Sequence, residues 1–253
     1  NNNLARVDGT RVLADLHALR AIGPYKTGVH KPTFSEPHLR SLQWLVQRLP
    51  EAGLAGEIDG IGNILGTSTK PGPKLLAGSH LESQNHAGWL DGPLGVIYAL
   101  EAARVINRDP NTNGAVEVAS WCDEEGHFGH FLGSRSYVGG VTEADIDAAH
   151  DRNSGKGMRD ALRDAGVERL DTLSLPDTAP VIVGWFNMFA TTGIEMIWSA
   201  SDFHSSTTVG SAAGVVAVAP GAGVERGDEQ DQLDDLLQWA ALADDRLVHV
   251  RQD

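Results

Sequence analysis

The sequence predicts an α/β fold, a three-layer sandwich in which a mixed, largely parallel sheet is flanked by helices. Two apolar runs, at Leu75–Ala77 and Ala115–Cys122, are typical of buried strands. Between them, the segment Pro93–Asn107 carries apolar residues at helical spacing. A strand, a helix and a second strand in this order form a βαβ unit, whose two strands run parallel.

Helices and strands are also predicted on both sides of this unit. An apolar stripe predicts a helix over Thr10–Ala21, and Ser35 precedes a Glu-Pro pair that is typical of a helix start. The other predicted elements are a hairpin at Glu57–Gly66, short helices at Thr142–His150 and Lys156–Ala165, strands at Val181–Val183, Ile194–Trp198, Val215–Val218 and Leu247–Val250, and a helix at Asp228–Ala243. Because no long linker or internal repeat interrupts this series, we expect a single domain over residues 1–253.

Composition and charge restrict the classes of partner. The chain has 253 residues, of which 41% are hydrophobic and 21% are charged, as in ordinary globular domains. A formal net charge of −14, from 34 acidic and 20 basic residues, argues against nucleic acid and anionic membranes as partners. Solubility alone also explains an acidic surface.

The use of cysteine favours a cytoplasmic location. Cys122 is the single cysteine, so an intrachain disulfide cannot form. No apolar run approaches the ~20 residues that a membrane helix needs, and no signal peptide is visible at the first residues.

Three groups of potential metal-ligating side chains lie at the ends of the elements of the βαβ unit. His80 ends the first strand, Asp91 lies in a glycine-rich turn before the helix, and Asp123–Glu125 follow the second strand. Taken singly, each is explained as well by a strand-end histidine, a helix cap or a solvated acidic turn. Because the carboxyl ends of parallel strands meet at one edge of a sheet, we expect the three groups to converge. The sequence therefore predicts the metal site of a hydrolase.

The two adjacent glutamates suggest a division of roles. In an extended chain Glu124 and Glu125 point in opposite directions, so one can bind the metal while the other faces the substrate. A free carboxylate beside a metal-activated water is suited to act as the general base. Nitrogen and oxygen ligands without a thiolate suit Zn²⁺, Mn²⁺ or Co²⁺.

Several motifs together resemble a known family. They are Thr27–Val29 with Thr33–Glu36, Asp59–Asn63, Gly78–Ser83, Trp89–Gly95, and Glu124–Gly126 with Leu132–Arg135. With these motifs, the chain from about Leu13 to about Ala165 resembles the allantoate amidohydrolase and N-carbamoyl-L-amino-acid hydrolase (hydantoinase/carbamoylase) family, within the dinuclear zinc aminoacylase and carboxypeptidase clan. The resemblance implies a zinc-peptidase-like catalytic domain.

The resemblance also assigns roles to matching residues. His80 and Glu125 resemble metal ligands, and Asp91 resembles the carboxylate that bridges two zinc ions. Glu124 resembles the general base. Glu82 occupies the place of a catalytic acid, usually Asp, that orients the metal-binding histidine through its other ring nitrogen. The family further implies a cis peptide bond after Asp91.

The remaining part of the chain departs from the family. No His-Ile-Glu-Gln-Gly-type ligand segment follows Ala165, and residues 171–253 diverge and are too few for the lid and dimerisation domain. We therefore expect that domain to be absent and the protein to be a monomer or a weak oligomer. Ser199–Ser205, which includes His204, and Gly223–Arg226 loosely resemble two later loops, and Arg226 then stands where a metal-binding histidine is expected.

The resemblance implies hydrolysis of a non-peptide C–N bond, with release of a carbamoyl or ureido group from an N-carbamoyl amino acid, allantoate or a related small ureido acid. The alternative is a truncated, catalytically impaired relative that binds at most one metal. Arg135, His127 and His204 are candidate substrate-binding residues. Arg135 can equally pair with a nearby acid, and His127 can equally be a surface residue.

Overall fold

A computed structural model of the chain describes residues 6–174, together with the backbone of residues 181–185 and 196–197. The described helices are α1 (Gly9–Arg20), α2 (Glu36–Arg48), α3 (Pro93–Ile106), α4 (Leu132–Tyr137), α5 (Glu143–Ala148) and α6 (Met158–Ala165), and a 3₁₀ turn (Leu49–Ala52) continues α2. The strands are β1 (Pro24–Tyr25), β2 (Gly28–Val29), β3 (Ile64–Gly66), β4 (Lys74–His80), β5 (Ala115–Trp121), β6 (Val181–Trp185) and β7 (Met196–Ile197). The elements predicted at Val215–Val218, Asp228–Ala243 and Leu247–Val250, and the loops at Ser199–Ser205 and Gly223–Arg226, lie outside the described residues.

The main sheet is mixed, as predicted. Its five described strands have the order β3-β5-β4-β6-β7. The three central strands are parallel, and β3 and β7 each pair antiparallel at an edge. Strands β4 and β5 are in register from Lys74 opposite Ala115 to His80 opposite Trp121, so both end at the same edge of the sheet. This register brings the residues that follow the two strands together.

Helices cover both faces of the sheet. On one face, Ala77 and Val118 join a core with α1, α2 and α3. On the other face, Leu76, Ala119 and Trp121 pack with Tyr137 of α4. The predicted three-layer α/β sandwich is therefore confirmed. Whether residues 1–253 form one domain stays a prediction, because much of the chain after residue 174 lies outside the described ranges.

Local signals set most of the element boundaries. The Asp8 carboxylate accepts hydrogen bonds from two backbone N–H groups of the first turn of α1, and the Ser35 hydroxyl caps α2 in the same way. Gly53, with φ of +67°, ends the turn after α2 in a left-handed conformation that glycine adopts without strain. These capping residues explain why the predicted and observed boundaries agree closely in the first half of the chain.

Three elements were not predicted: strands β1 and β2, which form a hairpin, and helix α4. The hairpin pairs Pro24 with Val29, and an isolated bridge also joins Val29 to Ala87, which is far away in the sequence. Helix α4 starts after Phe131, whose left-handed backbone (φ +55°) gives no sequence signal of a helix start. None of the described helices combines the length and the apolar character that crossing a bilayer requires.

Candidate metal centre

Three predicted ligands form one compact group at the carboxyl edge of the sheet. His80 ends β4, Asp91 lies in the turn before α3, and Glu125 follows β5. One ligand atom from each lies within 4.8 Å of the others. His80 Nε2, Asp91 Oδ1 and Glu125 Oε1 are buried and have no hydrogen-bond partner. Buried polar atoms are rarely left in this way, so the three converging atoms fit the coordination of a cation.

The tautomer of His80 suits metal binding. Its Nδ1 lies 3.1 Å from the backbone carbonyl oxygen of Glu82. Because a carbonyl can only accept, Nδ1 carries the proton and Nε2 keeps its lone pair. A neutral imidazole nitrogen and two carboxylate oxygens form a donor set that Zn²⁺, Mn²⁺ and Co²⁺ accept. The residues present therefore fit a divalent cation.

Gly92 allows Asp91 to approach His80 closely. The φ of Gly92 is +82°, and a Cβ at this position would lie 2.6 Å from the His80 ring. Only glycine meets both conditions, so the turn that presents Asp91 depends on it. The peptide bond between Asp91 and Gly92 is trans, as are the other peptide bonds of the described residues, so the expected cis bond is wrong. The positive φ of Gly92 turns the chain here.

The two glutamates do not diverge as an extended chain would place them. Strand β5 ends at Trp121, and Asp123 has a left-handed backbone with φ of +59°. Its carboxylate accepts hydrogen bonds from the Thr33 hydroxyl (2.7 Å) and from the backbone N–H groups of residues 127, 128 and 129. After this turn both carboxylates face the ligand group, with Glu124 Oε2 3.4 Å from His80 Nε2.

Glu82 makes different contacts from those expected of it. Its carboxylate lies 3.6 Å from His80 Nδ1, beyond hydrogen-bond distance, and the Glu82 backbone carbonyl orients the ring instead. The Glu82 Oε1 atom accepts hydrogen bonds from the backbone N–H groups of Glu124 (2.6 Å) and Glu125 (3.4 Å). The extra methylene of Glu relative to Asp gives the reach for these contacts. Glu82 therefore holds the backbone of the two glutamates, and its predicted catalytic role stays a prediction.

His38 is a buried neighbour of Glu82 that the sequence did not indicate. Its Nδ1 accepts a hydrogen bond from the backbone N–H of Phe34 (3.0 Å), so the proton lies on Nε2. That Nε2 atom lies 3.7 Å from Glu82 Oε2. Burial lowers the pKa of His38 to about 3, which keeps the ring neutral. His38 thus presents an N–H group toward Glu82 Oε2, the carboxylate oxygen that has no hydrogen-bond partner.

The buried carboxylates predict how pH affects the metal-free protein. Burial, with a smaller contribution from Asp123, raises the pKa of Glu82 to about 8. Burial also raises the pKa of Glu124 to about 8, against the opposing effect of His80. A carboxyl with a raised folded-state pKa stabilises the fold below its unfolded pKa of about 4.3, and this contribution is lost as pH rises through about 8.

We therefore expect the metal-free protein, kept in a chelator, to lose roughly 2–5 kcal/mol of unfolding free energy between pH 5 and pH 9. Urea unfolding in EDTA across this range measures the loss. Zn²⁺ at pH 8 should restore the stability, because a cation offsets the charge of the carboxylates. Stability that stays flat or rises from pH 5 to pH 8 would contradict the prediction.

The predicted substrate-binding residues lie outside the ligand group. His127 is buried, so the surface alternative is wrong, and its Nε2 donates to the Ser83 carbonyl oxygen (3.1 Å). The Arg135 guanidinium is exposed and donates to the Gly140 carbonyl oxygen (3.0 Å). His204 lies outside the described residues. Binding of substrate by His127, Arg135 or His204 stays a prediction.

Four contributors to the site were missed by sequence reasoning: Thr33, His38, Gln84 and Arg152. Thr33 and His38 reach the site from the start of α2, and Arg152 reaches it from the turn between α5 and α6. Gln84 lies only four residues after His80, where an amide carries no ligand signal of its own. Thr33 belongs to a motif of the family resemblance, but only the tertiary contacts show that these four residues reach the site.

A family model and several relatives match the chain. The model described as "Peptidase family M20/M25/M40" matches residues 71–221. An N-carbamoyl-L-amino-acid amidohydrolase of Paenarthrobacter aurescens is 30% identical over 176 residues, which are 65% of this chain and 41% of that protein. An allantoate deiminase of Arabidopsis thaliana is 30% identical over 167 residues, covering 63% of this chain and 31% of that protein.

A solved structure of a related amidase is also similar to this chain. A hydantoinase/carbamoylase family amidase from Burkholderia phymatum superposes with a TM-score of 0.68 and 41% sequence identity, covering 72% of this chain and 45% of that one. The chain thus spans less than half the length of these relatives.

Proposed function

Because the chain belongs to peptidase family M20/M25/M40, we propose that it acts in a metal-dependent hydrolase of non-peptide C–N bonds. The proposed reaction removes a carbamoyl or ureido group from an N-carbamoyl amino acid, allantoate or a related ureido acid. Relatives named for these reactions motivate the choice of substrate class. The observation that carries the proposal is the group of three unpartnered ligand atoms on His80, Asp91 and Glu125, with the Glu124 carboxylate beside it.

His80, Asp91 and Glu125 would hold the cation. When bound, it supplies Lewis-acid activation of the scissile carbonyl and of water. Zinc is the proposed metal, with Mn²⁺ and Co²⁺ as candidates that the same donor set admits. The described residues supply one compact ligand group. A second metal is part of the proposal; Asp91 would be a ligand of both ions, and the other ligands of the second ion would come from outside that group.

Glu124 is the proposed proton carrier. Its carboxylate lies against the ligand group, and burial raises its pKa to about 8. That value belongs to the metal-free protein, and a bound cation would lower the pKa of Glu124 by favouring its ionised form. The ionised carboxylate can then take a proton from the attacking water and return it to the leaving nitrogen. Glu82 would support this step by fixing the backbone N–H groups of Glu124 and Glu125.

Metal analysis together with turnover tests the proposal. Purified protein, stripped and reloaded with Zn²⁺, Mn²⁺ or Co²⁺, is assayed for ammonia released from N-carbamoyl amino acids and from allantoate. N-acetyl amino acids serve as the control substrate, since they carry an amide without the ureido nitrogen. Their hydrolysis releases acetate and no ammonia, so cleavage of the control is followed by the free amino acid that appears. We expect metal-dependent turnover of the ureido substrates. Failure to bind metal at saturating Zn²⁺ would overturn the proposal, and metal binding without turnover would favour the impaired relative.

We also propose that the partner is a small molecule and that the protein acts in the cytoplasm. The net charge of −14 supports the absence of nucleic-acid and anionic-membrane partners. The cytoplasmic location rests on the single cysteine, Cys122, which is buried.

A further inference from the structure

Three segments that are distant in the sequence meet around the main chain of Glu125. The first is the loop after β4, which contains Gln84. The second is the turn after β5, which contains Glu125 itself. The third is the turn between α5 and α6, which contains Arg152. Side chains from the first and third segments both reach Glu125.

Hydrogen bonds link these segments in series. Arg152 Nη1 donates to the Glu125 carbonyl oxygen (3.1 Å), and Arg152 Nη2 donates to Gln84 Oε1. Gln84 Nε2 donates to Glu125 Oε2 and, at 3.3 Å, to the Glu125 carbonyl oxygen. A guanidinium group can only donate, so Arg152 fixes which end of the Gln84 amide faces it. The amide NH₂ must therefore face the Glu125 carboxylate.

The two oxygens of the Glu125 carboxylate consequently differ. Oε2 is occupied by the Gln84 amide, whereas Oε1 is buried without a hydrogen-bond partner. Glu125 belongs to the ligand group with His80 and Asp91, so we take Oε1 as the oxygen that it offers to a cation. A carboxylate held in this way offers one oxygen to a cation in a fixed direction. Groups that hydrogen-bond a metal ligand, without binding the metal themselves, strongly affect the metal affinity.

We propose that Gln84, itself oriented by Arg152, is a positioning residue that makes Glu125 a one-oxygen metal ligand. This inference rests on the proposed function, since it takes Glu125 to be a ligand. It adds two residues, from outside the ligand group, that determine the geometry of the metal centre.

The turn that carries Arg152 is itself well fixed. The backbone N–H of Arg152 donates to the His127 carbonyl oxygen (2.8 Å), and His150 bridges to Gly157 across the base of the turn. The Asp151 carboxylate accepts hydrogen bonds from the backbone N–H groups of Asn153 and Ser154. Arg152 therefore starts from a rigid backbone, which a positioning contact requires.

The test is the dissociation constant for Zn²⁺, measured by competition with a chromophoric chelator. We expect Gln84→Leu, which keeps the volume and removes the amide, to weaken Zn²⁺ binding ~10–100-fold. Arg152→Ala should also weaken it, by a smaller factor. Because the two side chains act in series, the double variant should lose less than the product of the two single losses.

The matched control is Asn85→Ala. Asn85 Nδ2 donates to Asn153 Oδ1 (2.8 Å), so it joins the same two loops, and among the described residues no side-chain hydrogen bond links Asn85 to Glu125. We expect its Zn²⁺ affinity to stay within about twofold of the wild-type value. Urea unfolding of each metal-free variant separates a metal effect from a folding effect. If Gln84→Leu does not fold, the exposed Arg152→Ala decides the question.

The visible absorption of the Co²⁺-loaded protein gives a second readout, since it reports the number and geometry of ligands. At saturating Co²⁺, Gln84→Leu should change this spectrum, because Glu125 becomes free to bind through both oxygens. Unchanged Zn²⁺ affinity and an unchanged Co²⁺ spectrum would overturn the inference. A wild-type protein that binds zinc but hydrolyses no ureido substrate would overturn the proposed function and leave this inference standing. A wild-type protein that binds no zinc would overturn both.

Discussion

Replacing Glu124 by Gln is expected to reduce turnover of an N-carbamoyl amino acid by ~10²–10⁴-fold, the usual contribution of a general base. The amide has the same shape as the carboxylate but cannot accept the proton of water. Zn²⁺ affinity should stay near the wild-type value, because Glu124 is not one of the three ligand residues. Steady-state kinetics and chelator competition on the same preparation measure both quantities.

The matched control for Glu124→Gln is Glu117→Gln. Glu117 lies on β5, accepts a hydrogen bond from the Ser68 backbone N–H (3.0 Å) and has a pKa raised by burial, but it does not belong to the ligand group. The turnover of the Glu117→Gln variant should equal that of the wild type. At pH 8 and above, metal-free Glu124→Gln should also unfold at higher urea than the wild type, because a neutral amide replaces a buried charge. A Glu124→Gln variant that keeps a tenth or more of the turnover would exclude Glu124 as the base.

Asp91→Ala is expected to weaken Zn²⁺ binding by more than ~10–100-fold. That range is the usual loss when a residue that only hydrogen-bonds a metal ligand is removed. The variant deletes one of the three converging ligand atoms, and turnover should fall with the metal. The metal-free variant, in contrast, should be at least as stable as the wild type at neutral pH. Burial, and to a smaller degree the Glu125 charge, raise the pKa of Asp91, so its ionised form is unfavourable without a cation.

The Asp91→Ala variant should therefore bind Zn²⁺ more weakly while its metal-free form is no less stable than the wild type. Asp91→Asn is the companion variant, because it keeps the shape and one oxygen while removing the negative charge. We expect it to bind Zn²⁺ with an affinity between those of the wild type and Asp91→Ala. A role of Asp91 as a mere helix cap predicts instead a loss of stability with unchanged affinity. That result would remove Asp91 from the metal centre.

The sequence was sufficient to predict the elements that local patterns determine. The βαβ unit follows from two apolar runs with a helical segment between them, and its strands β4 and β5 are in parallel register. The hairpin β1–β2 was missed because each of its strands is only two residues long, which is too short to show an alternating pattern. Helix α4 was missed because neither a cap residue nor a long apolar stripe marks it.

The site was predictable to a similar extent. A general rule about the edge of a parallel sheet predicted that His80, Asp91 and the acidic residues 123–125 meet, and the family resemblance singled out Glu125 among the acids. In the structure, ligand atoms of His80, Asp91 and Glu125 lie within 4.8 Å of one another. The directions of Glu124 and Glu125 were not predictable, because they depend on one backbone torsion at Asp123. Gln84 and Arg152 have no sequence pattern of their own, and they meet only when the two loops pack.

The left-handed turn at Asp123 has a consequence for how this site can vary in evolution. The Asp123 side chain is in neither the ligand group nor the proposed proton transfer. It holds the turn after which Glu124, the proposed general base, and Glu125, the proposed metal ligand, both face the ligand group. A substitution at Asp123 would therefore change two functions together, although each could vary independently through its own residue. Selection on either function constrains Asp123 twice, so this position should tolerate fewer replacements than Glu125 alone.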